Sequence, residues 1–367
     1  MARFNLPDIT FANKSVEQIE TEVLSRYEKE ANVNLAPADP RRKLLQAIVI
    51  LLAQQRSLID YSAKMNLLSY AEDPFLDHLG ALTNTWRLQA QPAKATMRFL
   101  FSINNMQTIP LGTRVTPGNG LFFAVEQEVT VQPGQTQVDV LVVCMEAGTM
   151  GNGYLPGQIN QLVDPLPWVQ SVTNISASEG GSDIESPDSY ANRIRLAPES
   201  FSVAGPDGAY EFWAKTASPL IADVSVRSPS PGVVEIRPLL KDGIIPGQEI
   251  LDQVWATCSD KTVRPLTDMV KVLAPEVVSF DISVTYWIAS SSAGSLQEAI
   301  EKAVQSYVMW QKTKLGRDIN PSELTRLMVN AGAKRVEIAS PTFMRLESYQ
   351  VAEAANVTVN YGGLEDD

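Results

Sequence analysis

Few side chains in this sequence are typed and spaced for catalysis. The 367 residues hold one histidine, His78. That excludes a two-histidine zinc helix, and any Ser-His-Asp or Cys-His device must run through His78. His78 falls in a helical stretch without a nucleophile motif elsewhere, so it reads as a surface or interface side chain. The glycines Gly148, Gly151, Gly153 and Gly157 resemble a phosphate loop only in number. They lack the G-x-G-x-x-G spacing, and no long helix opens behind them, so tight turns are the better reading. Glu179, Asp183, Glu185 and Asp188 form the one acidic cluster. It lacks calcium-loop spacing. The alternative is that Asp183, Glu185, Ser186 and Asp188 cap and flank the helix that Pro187 opens. Cys144 sits in an apolar run and Cys258 lies far away, so they form no disulfide framework. The residues point to no catalytic group, no metal ligand and no cofactor.

The elements that would carry these residues follow from caps and periodicity. Ser15-Val-Glu-Gln18 is a capping box for a helix to about Glu30. Asp39-Pro40 starts a second helix, which nothing in the sequence breaks before Pro74, a rod of roughly 45–50 Å. One apolar stripe of the rod runs through Leu44, Ile48, Leu51, Leu58 and Met65. A second runs through Leu45, Val49, Leu52, Ile59 and Ala63. One short preceding helix cannot cover both, so partner helices are expected on the first stripe. A short helix from Pro74 to about Thr83 carries Phe75, Leu76, Leu79 and Leu82 along one side.

Beyond Ala95 the apolar period falls to two. Strands are predicted within 96–101, 113–116, 121–125, 129–131 and 138–143, separated by Pro110-Leu-Gly112, Pro117–Gly120 and Pro133-Gly134. Residues 146–185 are rich in Gly, Pro, Asn and Ser. Helices follow at 206–217, 247–258, 295–315 and 321–331, two of them with caps at Ser295 and at Asn320-Pro321 with Glu323. Strands alternate with them at 222–227, 232–238, 268–273, 277–288, 334–338 and 355–361. The fold class is α+β and multidomain. It has an N-terminal long-helix region (1–88), a small antiparallel β domain with its Gly/Pro-rich connector (89–200), and two C-terminal α+β parts (201–275 and 276–367). The last two fit ferredoxin-like split βαβ units. The tail from Leu364 is expected to fray.

The formal net charge of −12 and pI near 4.8 oppose a nucleic-acid partner. The N-terminus does not read as a signal peptide, and the longest apolar run, Ala47–Ala53, is far below the roughly 20 residues of a membrane span. Three N-x-S/T sequons, at Asn13, Asn174 and Asn356, carry no weight without secretion. The six tryptophans are scattered, which disfavours a sugar-binding platform.

A family resemblance emerges from several segments in one order. Leu76-Asp-His-Leu-Gly80 fits an "LD-x-LG" pattern. Ala147–Ile159, with Gly148, Gly151, Asn152 and Gly157, fits "AG-x-x-GN-x-x-x-G-x-I". Val169–Asn174 ends in "V-x-N". Gly180–Arg193, with Gly181, Asp183 and Glu185, fits "GG-x-D-x-E-S-x-x-x-[YF]-x-x-R". Pro321-Ser-Glu323-Leu opens the last helix, and Gly332–Ile338 follows. Together these resemble the baseplate J-like proteins of contractile phage tails and related bacteriocins. Residues 1–40 show nothing specific to that family.

The resemblance implies a structural wedge subunit of the inner baseplate ring around the hub and spike, one that changes geometry when the sheath contracts. It implies assembly in the bacterial host cytoplasm and residence in the virion tail or a tail-like particle. The implied partners are a second copy, a second wedge protein of the tail protein I type joined through a helical bundle, neighbouring wedges through ring and dimer contacts of residues 276–367, a lysozyme-like sheath-initiator protein, and the hub and spike proteins. Neither nucleic acid nor membrane is among them. Joints near 117–120, 148–157 and 229–232 are expected to act as hinges. The alternatives from other classes are a tail-associated hydrolase using the 179–188 acids and a glycan-binding adhesin.

Overall fold

The computed structural model describes residues 3–12, 15–202, 205–289 and 296–365. The chain divides into two compact units: residues 1–87 with 187–195, and residues 88–186 with 196–367.

The first unit is helical. Helix α1 spans Val16–Ala31. Its capping box is formed: the Gln18 N–H donates to Ser15 Oγ at 3.2 Å, and the Ser15 N–H donates to Gln18 Oε1 at 2.9 Å. Helix α2 spans Pro40–Lys64, with Asp39 Oδ1 accepting from the Arg41 N–H at 2.8 Å. Its 25 residues make a rod of about 37 Å, shorter than the sequence suggested. The stop is local: Asn66 Nδ2 donates to Ser62 O at 2.8 Å, and the Asn66 and Leu67 N–H groups close tight turns onto Ala63 O and Lys64 O. Arg3 donates through its guanidinium to Leu68 O and Ala71 O and through its backbone N–H to Ser69 O. These bonds hold the segment that follows the helix end. Helix α3 is Asp73–Ala81, and helix α4 is Pro187–Leu196, whose last residue falls in the second unit. Leu76, Ala71, Tyr190, Ala191 and Ile194 make the small core. The expected apolar side of α3 is only half used: Leu76 is buried and Leu79 partly so, whereas Phe75 and Leu82 are exposed.

The second unit begins with a barrel-like sheet. Its strands are β1 (Pro92–Phe101), β3 (Arg114–Thr116), β4 (Phe123–Val125), β6 (Gln137–Ala147), β7 (Gln161–Leu162) and β8 (Val169–Asn174), ordered β7-β3-β4-β6-β1-β8. A separate ribbon pairs β2 (Gln107–Ile109) with β5 (Val129–Val131). Strand β1 alternates buried and half-buried residues over most of its length, so Ala93, Ala95, Met97, Phe99 and Phe101 face the core with Val115, Phe123, Val142 and Ile159.

Two three-stranded mixed sheets follow. The first orders β11 (Met269–Val272), β10 (Val233–Leu240) and β9 (Ile221–Ser230) beneath α5 (Asp207–Ala217) and α6 (Gln248–Cys258). The second orders β13 (Arg335–Ser340), β12 (Glu276–Ile288) and β14 (Gln350–Leu364) against α7 (Leu296–Lys312) and α8 (Pro321–Asn330). Each has one antiparallel and one parallel neighbour pair. Neither described sheet holds the four strands of a complete ferredoxin-like unit, so that part of the expectation is corrected to three-stranded α+β layers. The expected cap Ser295 lies outside the described residues, as do Asn13 and the last two residues. The tail does not fray at Leu364, because β14 runs through it and Glu365 pairs with Arg335 at 2.8 Å.

Candidate assembly site

The resemblance-bearing residues of the connector come together, and they meet backbone, not substrate. Asn174 is buried at the end of β8. Its Oδ1 accepts from the Ile159 N–H at 2.8 Å, and its Nδ2 donates to Leu155 O at 2.9 Å and Ser176 O at 2.8 Å. Its backbone N–H donates to Ile159 O, and the Gly157 N–H donates to Asn174 O. One side chain therefore ties the 155–159 segment, just before β7, to β8 and joins the two outer strands of the barrel-like sheet.

Asn152 and Gly181 form a reciprocal pair: Asn152 Nδ2 donates to Gly181 O at 2.7 Å, and the Gly181 N–H donates to Asn152 Oδ1 at 2.8 Å. A Cβ at position 181 would stand 2.4 Å from Gly148 O, so only glycine fits this crossing. The Gly148 N–H donates to Gln91 O, and Gly151 packs on Ala93 and Cys144. Gly180 turns beside the Glu249 carboxylate.

The acidic cluster disperses. Asp183 Oδ1 accepts from the Thr149 N–H at 3.1 Å. Buried Glu185 accepts from the Leu88 N–H at 3.1 Å. Asp188 pairs with Arg3 at 2.6 Å. Asp188 stands in the first turn of α4. Among the described residues no group of three or more His, Cys, Asp or Glu is placed to hold a metal ion. Burial raises both thiols, Cys258 to about 12, which leaves them protonated at neutral pH.

The second half of the same motif serves the helical unit. Tyr190 Oη donates to Thr85 O at 2.7 Å, and the buried Arg193 guanidinium donates to Trp86 O. A Cβ on Gly80 would lie 2.0 Å from Tyr190 Oη. The "LD-x-LG" glycine and the "Y-x-x-R" tyrosine, 110 positions apart, are thus two sides of one contact. Residues 187–195, expected with the β-rich segment, join the helices for this reason. At the far end of the chain, Pro321 is the first residue of α8, and Glu323 pairs with Arg326 at 2.5 Å.

The expected hinges are not joints between compact bodies. Residues 117–120 and 229–232 are turns within sheets, and 148–157 is bonded along its length to Gln91, Ser178 and Asn174.

Helix α2 is different. Of its residues only Val49 is buried. Leu44, Leu51 and Leu58 are 64%, 61% and 62% exposed, and Ile48, Ile50, Ile59 and Tyr61 are exposed beside them. Met65, expected on this stripe, caps the helix and is buried in its own unit, because the chain turns there. So large an apolar face on one helix is not ordinary surface. His78 is exposed on α3 with no nucleophile bonded to it among the described residues.

Sequence reasoning missed one polar cluster. Glu235 is buried between Arg237 and Arg227, each 2.7 Å away, and Arg237 also reaches Glu276 at 3.4 Å and donates to Ala274 O at 2.8 Å. The Tyr349 ring lies 3.9 Å from Arg227 and 5.0 Å from Arg237. Burial opposes the Glu235 carboxylate, yet the hydrogen bonds from Arg237 and Arg227 outweigh it and hold its pKa below the usual value. The cluster joins β10 to the start of β12. Glu235, Arg237 and Arg227 alternate on facing strands, which is the only trace it leaves in the sequence.

Family models match the chain in order. They are the baseplate J-like N-terminal domain over residues 38–94, the barrel domain over 96–181, the central domain over 202–274 and the C-terminal domain over 278–360. The chain belongs to the baseplate J-like family. A curated relative, baseplate protein J of Escherichia phage P2, is 32% identical over 186 residues, which are 50% of this chain and 61% of the relative. The chain thus aligns with about three fifths of that relative's length. A chain in a cryo-EM structure of the six-fold symmetrised baseplate of the anti-feeding prophage covers 96% of this chain and 95% of itself, with a TM-score of 0.43 and 12% identity. That likeness is too low to carry a structural argument.

Proposed function

We propose that this protein is a structural subunit of a contractile-tail baseplate, in a virion or a tail-like particle, and that it acts by binding other proteins and not by catalysis. The observation that carries this reading is the exposed apolar face of α2 in a chain whose family-specific residues are spent on backbone contacts. The phage P2 relative is named as a baseplate protein, which agrees with it.

In finer detail, α2 joins a helical bundle with a second copy and a wedge protein of the tail protein I type, with Leu44, Ile48, Leu51 and Leu58 at the seam. The barrel and connector, within 88–186, are a rigid spacer. The parts at 201–275 and 276–367 make ring contacts around the hub and spike, next to the sheath initiator. Sheath contraction changes how these interfaces pair, since switching rings depend on contacts with alternative arrangements.

Co-expression with the neighbouring tail genes tests the seam. The wild-type chain is expected to co-purify with a second helical protein, and Leu51→Asp to lose it while the second unit keeps its fold. An unchanged complex would sink the seam. Turnover of cell-wall substrate that disappears in Asp183→Ala would favour the hydrolase instead.

A further inference from the structure

The barrel and the α5–α6 layer meet at two acidic side chains that cross over two glycines. Glu179 pairs with β1 through its backbone, exchanging hydrogen bonds with Lys94 at 2.8 and 3.0 Å. Its carboxylate lies against Gly247, the residue that precedes α6, where a Cβ would stand 2.3 Å from Glu179 Oε2. Glu249, in the first turn of α6, reaches the other way. Its carboxylate lies against Gly180, where a Cβ would stand 2.8 Å from Glu249 Oε2. Each acid thus fills the space that a side chain beside the other would need.

The charges around Glu249 do not balance. Lys94 of β1 faces it as a cation, but Lys94 is shared with Glu126 at 3.5 Å. Glu179 from the connector and Glu126 from just after β4 add like charge. On α6 itself, Gln253 Nε2 donates to Glu249 Oε1 at 3.4 Å, and Asp252 accepts from Gln248 at 2.8 Å. Glu249 is half-buried and Glu179 exposed, so the cost of charge falls on Glu249. Burial is the main cause that raises the Glu249 pKa, with Glu179 and Glu126 adding to it, against the pull of Lys94 and the Gln253 bond. A groove of about 550 Å³ opens beside the pair, between Thr96, Leu141 and Ala177 on the barrel side and Asp252 and Ala256 on α6. A contact flanked by open space, and not by packed apolar atoms, is one that opens readily.

We propose that this crossing is a proton-sensitive joint between the barrel and the α5–α6 layer. With Glu249 ionised, its charge opposes those of Glu179 and Glu126 in a half-buried place, and the joint is loosened. With Glu249 protonated that repulsion is gone, and α6 closes on the connector. The sign follows from the raised value. The folded chain takes the proton more readily than the unfolded one, so the cost of the charge is complete above the raised value. It shrinks as pH falls through that value and is gone below the ordinary 4.5. Glu235 is the opposite case, since its pKa is depressed and acid weakens its pairing. The joint lies within one chain, goes beyond the assembly reading and does not rest on it.

Melting of the full-length chain against pH tests the charge. Near neutral pH, Glu249→Gln is expected to melt above the wild type, and the difference to close as pH falls to 4.5. Glu179→Gln is expected to raise the melting temperature near neutral pH as well. The double variant should gain less than the sum of the two, because either change removes the repulsion between them. Hydrogen exchange reads the joint itself through the Lys94 and Glu179 amides and the Leu251 amide, which donates to Gly247 O. Corrected for the intrinsic effect of pH, their protection in the wild type is expected to rise from neutral pH into acid. In Glu249→Gln it is expected to be high and level over the same range. Melting of Glu249→Gln at or below the wild type near neutral pH, additive gains, or protection that rises equally in both chains overturns the proposal. An equal rise at Val284, buried in the C-terminal sheet, marks a general stabilisation and overturns it too.

Discussion

Helix α2 and the 147–186 connector are both marked in the sequence, one by apolar stripes and the other by glycine and asparagine, yet they spend their residues in opposite ways. Each connector polar group described above closes on the chain's own backbone: Asn174 on 155–159, Asn152 on Gly181, Asp183 on Thr149, Glu185 on Leu88. Along α2 the apolar side chains stay in solvent, with only Val49 buried. A residue whose partners are all internal contributes to folding. A residue left unsatisfied by its own chain contributes to assembly. Substitutions in the two regions should therefore separate stability from complex formation.

The largest effect is expected at Asn174→Ala. It leaves the Ile159 N–H and the Leu155 and Ser176 carbonyls without their buried partner, at roughly 1–3 kcal/mol for each group left unsatisfied. Denaturant unfolding followed by tryptophan emission should show the loss, and a change under 1 kcal/mol would make Asn174 dispensable. Next comes Gly80→Ala, which places a methyl against Tyr190 Oη and should cost about 1–3 kcal/mol as overpacking does. A cost below about 1 kcal/mol would break the link between the two motifs.

Glu235→Gln is expected to cost about as much near neutral pH, since it breaks a buried pair. Its pH dependence has a definite sign. The folded pKa of Glu235 is depressed, so its contribution is complete above the ordinary value of 4.5 and is lost as pH falls through the depressed value. The stability gap between wild type and variant should therefore shrink on acidification below 4.5 and stay constant above it. A gap that widens in acid contradicts the assigned cause. The smallest effect on stability is expected at Leu58→Asp on α2, within about 0.5 kcal/mol as for other surface sites. The same variant should lose co-purifying partners, and a large drop in its melting temperature would erase the contrast with the connector.

Much of this arrangement was legible before any coordinates. The capping box at Ser15, the cap at Asp39-Pro40 and the two-residue period of the barrel strands are local signals, and local signals fix element type. The end of α2 was not legible, because it lies in turns that Asn66 and Leu67 close onto Ser62 O and Lys64 O, with no proline or glycine to mark them. Nor was the division of the Gly180–Arg193 motif, whose first half bonds to the barrel segment and whose second half bonds to Thr85 and Trp86. Sequence spacing showed the residues as one string and gave no sign that they serve two bodies.

By itself the sequence determined most of the order of helices and strands, the family and the apolar face of α2. Each depends on residue type at short spacing. The tertiary structure alone decided that Asn174 joins the outer barrel strands, that Gly80 exists for Tyr190, that Glu235 is held between two arginines, and that Glu179 and Glu249 cross over Gly247 and Gly180. Those facts depend on which distant backbone groups and strands become neighbours, and pairing across long stretches of chain leaves no periodic mark in the residues themselves.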